Sequence, residues 1–208
     1  TMLHKQYRMY PSIARFSSML FYDNRIEDGV KEGEVPAGFF WRRNNAVYFL
    51  NVKDCEEKAP NSHSPYNNGE VECVMDLVHT FLDSGIAAEQ IGVIAMYKTQ
   101  AERLHSQLEH LGIACGTVDS FQGQEKDIML VSCVRSNPEG TTGFLDIPQR
   151  INVAITRAKI GLIIVGNQKT LQSCSSLRRI IRILWDEGSC AKYSYLRQWL
   201  AQLPAQLP

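Results

Sequence analysis

Residues 91 to 118 read I-G-V-I-A-M-Y-K-T-Q-A-E-R-L-H-S-Q-L-E-H-L-G-I-A-C-G-T-V. Ile91 to Met96 is an apolar run of strand length. Ala101, Leu104, Leu108 and Leu111 then recur at helical spacing, and Gly112 ends the pattern where a helix C-terminus favours glycine. Ile113 to Val118 is a second strand-like run. Strand, helix and strand in this order imply a right-handed crossover between parallel neighbours.

The alternation continues on both sides. Val47 to Val52 reads as a buried strand. Asn67 precedes Glu70 at the offset of a capping box, and Val71, Val74, Met75, Val78 and Leu82 follow at helical spacing up to Gly85. Ile128 to Val134 and Leu162 to Val165 read as further strands. Pro11 suits a first helical turn, with Ile13, Phe16, Ser17 and Leu20 on one face. Residues 23–45 read mostly as loop, 53–67 as exposed loop, and 169–202 as two helices; the repeated A-Q-L-P of 201–208 reads as a frayed end. The expected fold is α/β, a three-layer sandwich around a mostly parallel sheet. Residues 1–168 form its body, and 169–208 are C-terminal helices packed on it. Ligands of such sheets gather at the C-terminal ends of the strands. Tyr97, the turn from Asp119 to Glu125 and the loop after Val134 all follow strands, so they are expected to converge on one edge.

Lysine plus arginine and aspartate plus glutamate both number 22, so the net charge is zero. Any nucleic-acid contact must therefore be a local basic patch. Six cysteines contain no C-x-x-C pair, and five scattered histidines lack metal-ligand spacing, which points to reduced thiols and away from a zinc site. No apolar run approaches the ~20 residues that span a membrane. The reading is an intracellular protein, nuclear or cytoplasmic, with no metal site of its own.

Arg157, in R-I-N-V-A-I-T-R-A-K from Arg150 to Lys159, lies on a helix-like segment before the last strand. A guanidinium there is suited to a phosphate, or equally to a surface salt bridge. Tyr7 and Arg8 stand just before a helix N-terminus, the end that favours anions. Phe39, Phe40 and Trp41 with Arg42 and Arg43 are either a stacking patch for nucleic acid or ordinary core packing.

Three segments carry a resemblance: Q-Y-R-M at 6–9, T-V-D-S-F-Q-G-Q-E at 117–125 and N-V-A-I-T-R-A-K at 152–159. In order and separation they resemble motifs IV, V and VI of superfamily 1 helicases, nearest the nonsense-mediated-decay, senataxin and immunoglobulin-switch-binding group. The resemblance implies the second, C-terminal RecA-like domain, of the AAA_12 type. It gives Arg8 and Arg157 as the catalytic arginines that reach the γ-phosphate, and Gln6, Tyr7, Gly123 and Glu125 as further nucleotide-site residues. It gives Tyr97, Gln100, Thr117, Ser120 and Asn152 as contacts to a single strand, with Lys159 in support. Read locally, Gln6, Asn152 and Thr156 equally cap or tie loops, Glu125 equally pairs with Lys126 or Lys98, Lys159 equally ends a helix, and Tyr97 equally belongs to the core. Tyr10 and the Ala95-Met96 pair depart from the family pattern at two channel positions.

No G-x-x-x-x-G-K-[ST] occurs in the chain, so the backbone nest for a β-phosphate is expected on another domain. Asp186-Glu187 follows an amphipathic helical run and not a strand. The expectation is thus half of an ATP-dependent 5′ to 3′ RNA or DNA helicase, and the abrupt start suggests a fragment. ATP with Mg2+ would be held mainly by an N-terminal RecA-like domain of the same protein. The partners are single-stranded RNA or DNA, with no membrane and no stable oligomer. The alternative is a motor-deficient module that binds nucleic acid or regulates without ATPase activity.

Overall fold

The computed structural model describes residues 4–31, 46–60 and 62–200, apart from the side chains of residues 197, 199 and 200. The aromatic and arginine run at 39–43 and the tail at 201–208 lie outside the described residues. The elements in chain order are β1 (Lys5–Gln6), α1 (Pro11–Phe21), β2 (Glu27–Asp28), β3 (Val47–Asn51), β4 (Glu57–Lys58), β5 (Pro65–Tyr66) and α2 (Asn68–Asp83). Then come β6 (Ile91–Ala95), α3 (Lys98–Leu108), β7 (Ala114–Thr117), β8 (Lys126–Ser132), α4 (Pro148–Ile155) and β9 (Ala158–Gly166). The chain continues with α5 (Gln168–Leu171), α6 (Ser175–Asp186), β10 (Cys190–Lys192) and α7 (Tyr193–Leu200).

One six-stranded sheet runs in the order β10-β3-β9-β8-β6-β7, and every neighbouring pair in it is parallel. The strands are apolar along most of their length because helices cover both faces. Alternate residues divide between two cores. Met129 and Val131 pack with Phe16, Phe121, Ile155 and Ile180 under α1, α4 and α6. Ile128 and Leu130 pack with Val74, Leu77, Leu104 and Leu108 under α2 and α3. The chain therefore has the α/β sandwich that the alternation predicts, in the RecA-like form that the resemblance implies.

Four local expectations are corrected. First, the C-terminal stretch is more than two helices. β10 pairs with β3 through Cys190–Phe49 and Lys192–Asn51, and Ile180 and Leu184 of α6 lie in the first core, so these residues complete the body. Second, Lys5 and Gln6 pair with Glu27 and Asp28, so the start of the supposed loop is a short strand pair. Third, the capping box is half made. Asn67 accepts from the Glu70 amide at 3.0 Å, but the Glu70 carboxylate turns inward to two donors at the end of β8, Ser132 Oγ at 2.6 Å and Val134 N at 2.9 Å.

The fourth correction concerns the edges of the sheet. Parallel strands all begin at one edge and end at the other. Tyr97 and the loop after Val134 do meet at the C-terminal edge. The segment after β7 does not stay there. It crosses the sheet face through buried Phe121 and delivers Glu125 to the N-terminal edge, one residue before β8. Arg157 likewise ends one residue before β9, beyond the end of α4 and not on it.

Candidate functional site

A cleft of about 790 Å3 opens at the N-terminal edge of β8 and β9, lined on one side by the Gln6–Met9 turn and on the other by α4 and its exit. Gln6 builds the first wall. Its Oε1 accepts from the amides of Arg8 (2.9 Å) and Met9 (2.8 Å), while its Nε2 donates to the Met9 carbonyl (2.7 Å) and Asp28 Oδ1 (2.8 Å). With all four bonds made, Gln6 positions the turn that carries Arg8. Tyr10 N then donates to the Lys159 carbonyl at 2.8 Å, docking this turn on β9. Tyr7 is 72% exposed, with one ring edge packed where a side chain on Gly29 would have to be.

The second wall comes from the end of α4. Arg157 donates from Nε to the Val153 carbonyl, from Nη1 to the Gln124 carbonyl and from Nη2 to Thr156 Oγ1, each at 3.2 Å. All three acceptors are neutral. Arg8 Nε bonds the Glu125 carboxylate, and Lys159 Nζ lies 3.2 Å from its other oxygen. Glu125 therefore pairs with these two cations. The alternatives are otherwise engaged: Lys126 donates to the Glu89 carbonyl, and Lys98 pairs with Glu102. Burial pulls the Glu125 carboxyl upward, but Lys159 and Arg8 outweigh it and hold it below the usual range. Burial, and then repulsion from Arg8, lower the Arg157 pKa from its ordinary value. An arginine stays charged regardless. Three cations thus face one carboxylate, which leaves an excess positive charge suited to a polyanion.

Gly123 stands two residues before Glu125 with φ +85, a left-handed conformation that suits glycine. It sets the direction of the turn and does not itself line the cleft. Asn152 lies in this cleft and away from the C-terminal edge. It accepts from Ser17 Oγ at 2.7 Å and donates to Tyr22 Oη at 3.3 Å, tying α4 to α1.

The remaining predicted residues lie elsewhere. Gln100 is fully buried, bonded to both backbone groups of Asn67 and to Ser132 Oγ, so it is an interior link and cannot touch a strand. Tyr97 is also buried. Its hydroxyl donates to the Thr142 carbonyl (2.9 Å) and accepts from Phe144 N (3.1 Å) and Arg135 Nη1 (3.3 Å). Thr117, paired with Ala95, and Ser120 lie at the same C-terminal edge, where Ser120 Oγ donates back to the Thr117 carbonyl at 2.9 Å.

The sequence reading missed three features of that edge. Phe144 is 53% exposed with its ring 5.6 Å from that of Tyr97, so the open aromatic here is Phe144. An aromatic directly after Gly143 in the loop following a strand was its available signal. Arg135 and Glu56 form a largely buried ion pair at 2.9 Å. Burial raises the Glu56 pKa, but bonds from Asn137, Arg135 and Ser136 outweigh it and lower the carboxyl overall. Val134 adopts φ +72, a strained conformation for a β-branched residue, and its amide is held by Glu70.

Comparison with known proteins gives a consistent picture. Residues 1–169 match the family model described as AAA domain. The chain is 40% identical to the Regulator of nonsense transcripts 1 homolog of Drosophila melanogaster over 81% of its own length and 15% of the relative's. It is 35% identical to the ATP-dependent helicase upf1 of Schizosaccharomyces pombe, over 80% of the chain and 19% of the relative. Helicase sen1 of the same organism is 38% identical over 83% and 11%. The chain thus spans less than a fifth of these curated relatives. Among solved structures, the C-terminal domain of a possible DNA helicase from Lactobacillus plantarum aligns with TM-score 0.44 and 17% identity, covering 78% of this chain and 88% of that one.

Proposed function

The chain belongs to the AAA domain family, and on that premise we propose that it is the second RecA-like motor domain of an ATP-dependent helicase moving 5′ to 3′ on RNA or DNA. The observation that carries this reading is the pairing of Arg8 and Arg157 across one cleft, where neutral carbonyls and a hydroxyl hold Arg157 and a single carboxylate offsets Arg8.

The cleft residues fit the ligand. Arg8, Arg157 and Lys159 supply fixed positive charge for a terminal phosphate, and the exposed ring of Tyr7 offers a face for adenine. We assign Mg2+ mainly to the first RecA-like domain of the same protein. ATP would supply the phosphoanhydride: its binding between the two halves would favour closure, and its hydrolysis would let the cleft reopen. This chain's part is electrostatic. Its two guanidiniums meet the charge that grows on the transferred phosphoryl group, a contribution worth roughly 10³–10⁵ in rate in other NTPases. Arg157 is already oriented by its three bonds, so little reorganisation is needed on closure.

At the C-terminal edge, Ser120, Thr117 and Phe144 are offered to a single strand, with Tyr97 fixing Phe144 from beneath. We place this activity in the nucleus or cytoplasm, and no helix among the described residues is long and apolar enough to cross a membrane. The test is ATP hydrolysis by the full-length parent with and without RNA and DNA. Stimulation by at least one is the expected result, and hydrolysis indifferent to both overturns the reading.

A further inference from the structure

A second cationic surface lies apart from the arginine cleft. Two adjoining cavities share Gln168 and Gln172 as a common wall. The larger, about 470 Å3, sits where β3, β9 and β10 end, and it presents Lys53, Lys169 and Lys192. The smaller, about 270 Å3, runs along α6 and presents Arg178, Arg182 and Trp185. These last three occupy positions i, i+4 and i+7, so they share one helical face. Trp185 is 58% exposed. Among the described residues, none of the five cations pairs with a carboxylate, and Asp186 is the only acidic residue lining either cavity. In a chain of zero net charge this is a local concentration, and only Lys53 of the six residues falls well inside the stretch matched to the family.

We propose that this surface is a second contact site for single-stranded nucleic acid, with backbone phosphates on Lys53, Lys169 and Lys192 and a base stacked on Trp185. Cations beside an open aromatic ring are the combination that holds a single strand without regard to sequence. The site also continues an edge already described. Asn167 Nδ2 donates to Ser136 Oγ at 2.7 Å, and Thr170 Oγ1 exchanges bonds with the backbone of Asn137 at 3.1 Å. The floor of the lysine cavity is thus joined directly to the loop that carries Arg135. A strand leaving Phe144 meets these lysines next. The proposal lengthens the strand path inferred above but rests on its own charges and its own aromatic ring.

The test is anisotropy of labelled uridine and deoxythymidine dodecamers with the whole chain, over a range of salt. The triple variant K53A/K169A/K192A is expected to bind at least about tenfold more weakly, with a salt slope smaller by about 2, since each phosphate contact on a single strand contributes about 0.7. Trp185→Ala should lose about fivefold and Trp185→Phe much less, because a benzyl ring still stacks. Circular dichroism must be unchanged; every substituted side chain is exposed. Wild-type affinity and slope in the lysine variant overturn the proposal, and a simultaneous loss in Phe144→Ala would show that the first strand path stands without it. Polyaspartate displacing the dodecamers as well as unlabelled RNA does, with Trp185→Ala silent, also overturns it in favour of an acidic protein partner.

Discussion

Arg8 and Arg157 are anchored to consecutive residues of one turn: Arg157 donates to the Gln124 carbonyl, and Arg8 bonds the carboxylate of Glu125. Two guanidiniums that lie far apart in the chain therefore share a single turn as their support. Anything that moves the turn moves both. Burial and then their mutual repulsion lower the pKa of Arg157, and both are tolerated because Glu125 and three neutral acceptors are built around the pair.

Arg157 is the less replaceable of the two. Substituting alanine in the full-length helicase is expected to lower kcat by roughly 10³-fold or more while the affinity for a single strand changes little. Lysine should not rescue it, since a point charge cannot reproduce three bonds from one planar fork. Steady-state ATPase with saturating RNA, paired with filter binding, reads both quantities. Turnover near wild type in Arg157→Ala would remove the catalytic assignment.

Glu125→Gln tests whether the shared support matters. The carboxylate bonds Arg8 and Lys159, and Arg157 feels its charge without a direct bond to it. Its loss should let Arg8 drift and lower turnover by about tenfold to a hundredfold. Stability should change by less than about 1 kcal/mol, because the pair is more than a third exposed. The sign follows from the depressed pKa. The ion pairs are present above the unfolded value near 4.5 and are lost as pH falls through the lower folded value, so the glutamine variant should show a slightly flatter acid limb in urea titrations.

Much of this was legible along the chain. The spacing of Ala101, Leu104 and Leu108 announces α3, and the apolar runs at 91–96 and 128–134 announce two central strands, because burial on both faces leaves a continuous signature. Arg8 and Arg157 were legible as members of motifs. What stayed hidden depends on contacts between distant residues. β10 is three residues long and carries no periodicity; pairing with β3 alone makes it a strand. Gln100 looks like a surface residue at a helix start until Asn67 and Ser132 close over it. Nothing local to Asp119–Glu125 says that the segment crosses the sheet without a helix, which is why Glu125 and Tyr97 were expected at one edge and lie at two.

Tyr97→Phe should expose the role of the hidden aromatic at the C-terminal edge. Removing the hydroxyl leaves the Thr142 carbonyl and the Phe144 amide without their partner in a buried setting. The cost should be about 1–3 kcal/mol in unfolding free energy, measured by urea titration. Strand affinity should fall as well, although Tyr97 itself is only 5% exposed, because Phe144 loses the bond that orients its backbone. Unchanged affinity alongside lowered stability would confine Tyr97 to the core.

Glu70 gives the sharpest pH dependence. Burial dominates its environment, and its pKa is pushed up to about 8 despite the bonds from Ser132 and Val134. Its second oxygen, Oε1, is buried without a hydrogen-bond partner. A carboxyl that is harder to ionise folded than unfolded binds more protons in the native state, so native stability must fall as pH rises from about 4.5 to about 8. One pKa unit corresponds to about 1.4 kcal/mol, so the span amounts to a few kcal/mol. Glu70→Gln keeps an oxygen for the two donors and removes the titration. It should therefore be at least as stable as the wild type above pH 8 and show a flat profile where the wild type declines. The strained backbone of Val134 should stay in place in the variant, because its amide keeps an acceptor. Urea midpoints at pH 5 and pH 9 for the two proteins decide the matter. A wild type that declines no more than the glutamine variant over that interval would mean that Glu70 is already ionised in the folded chain at pH 5 and that its two donors outweigh its burial.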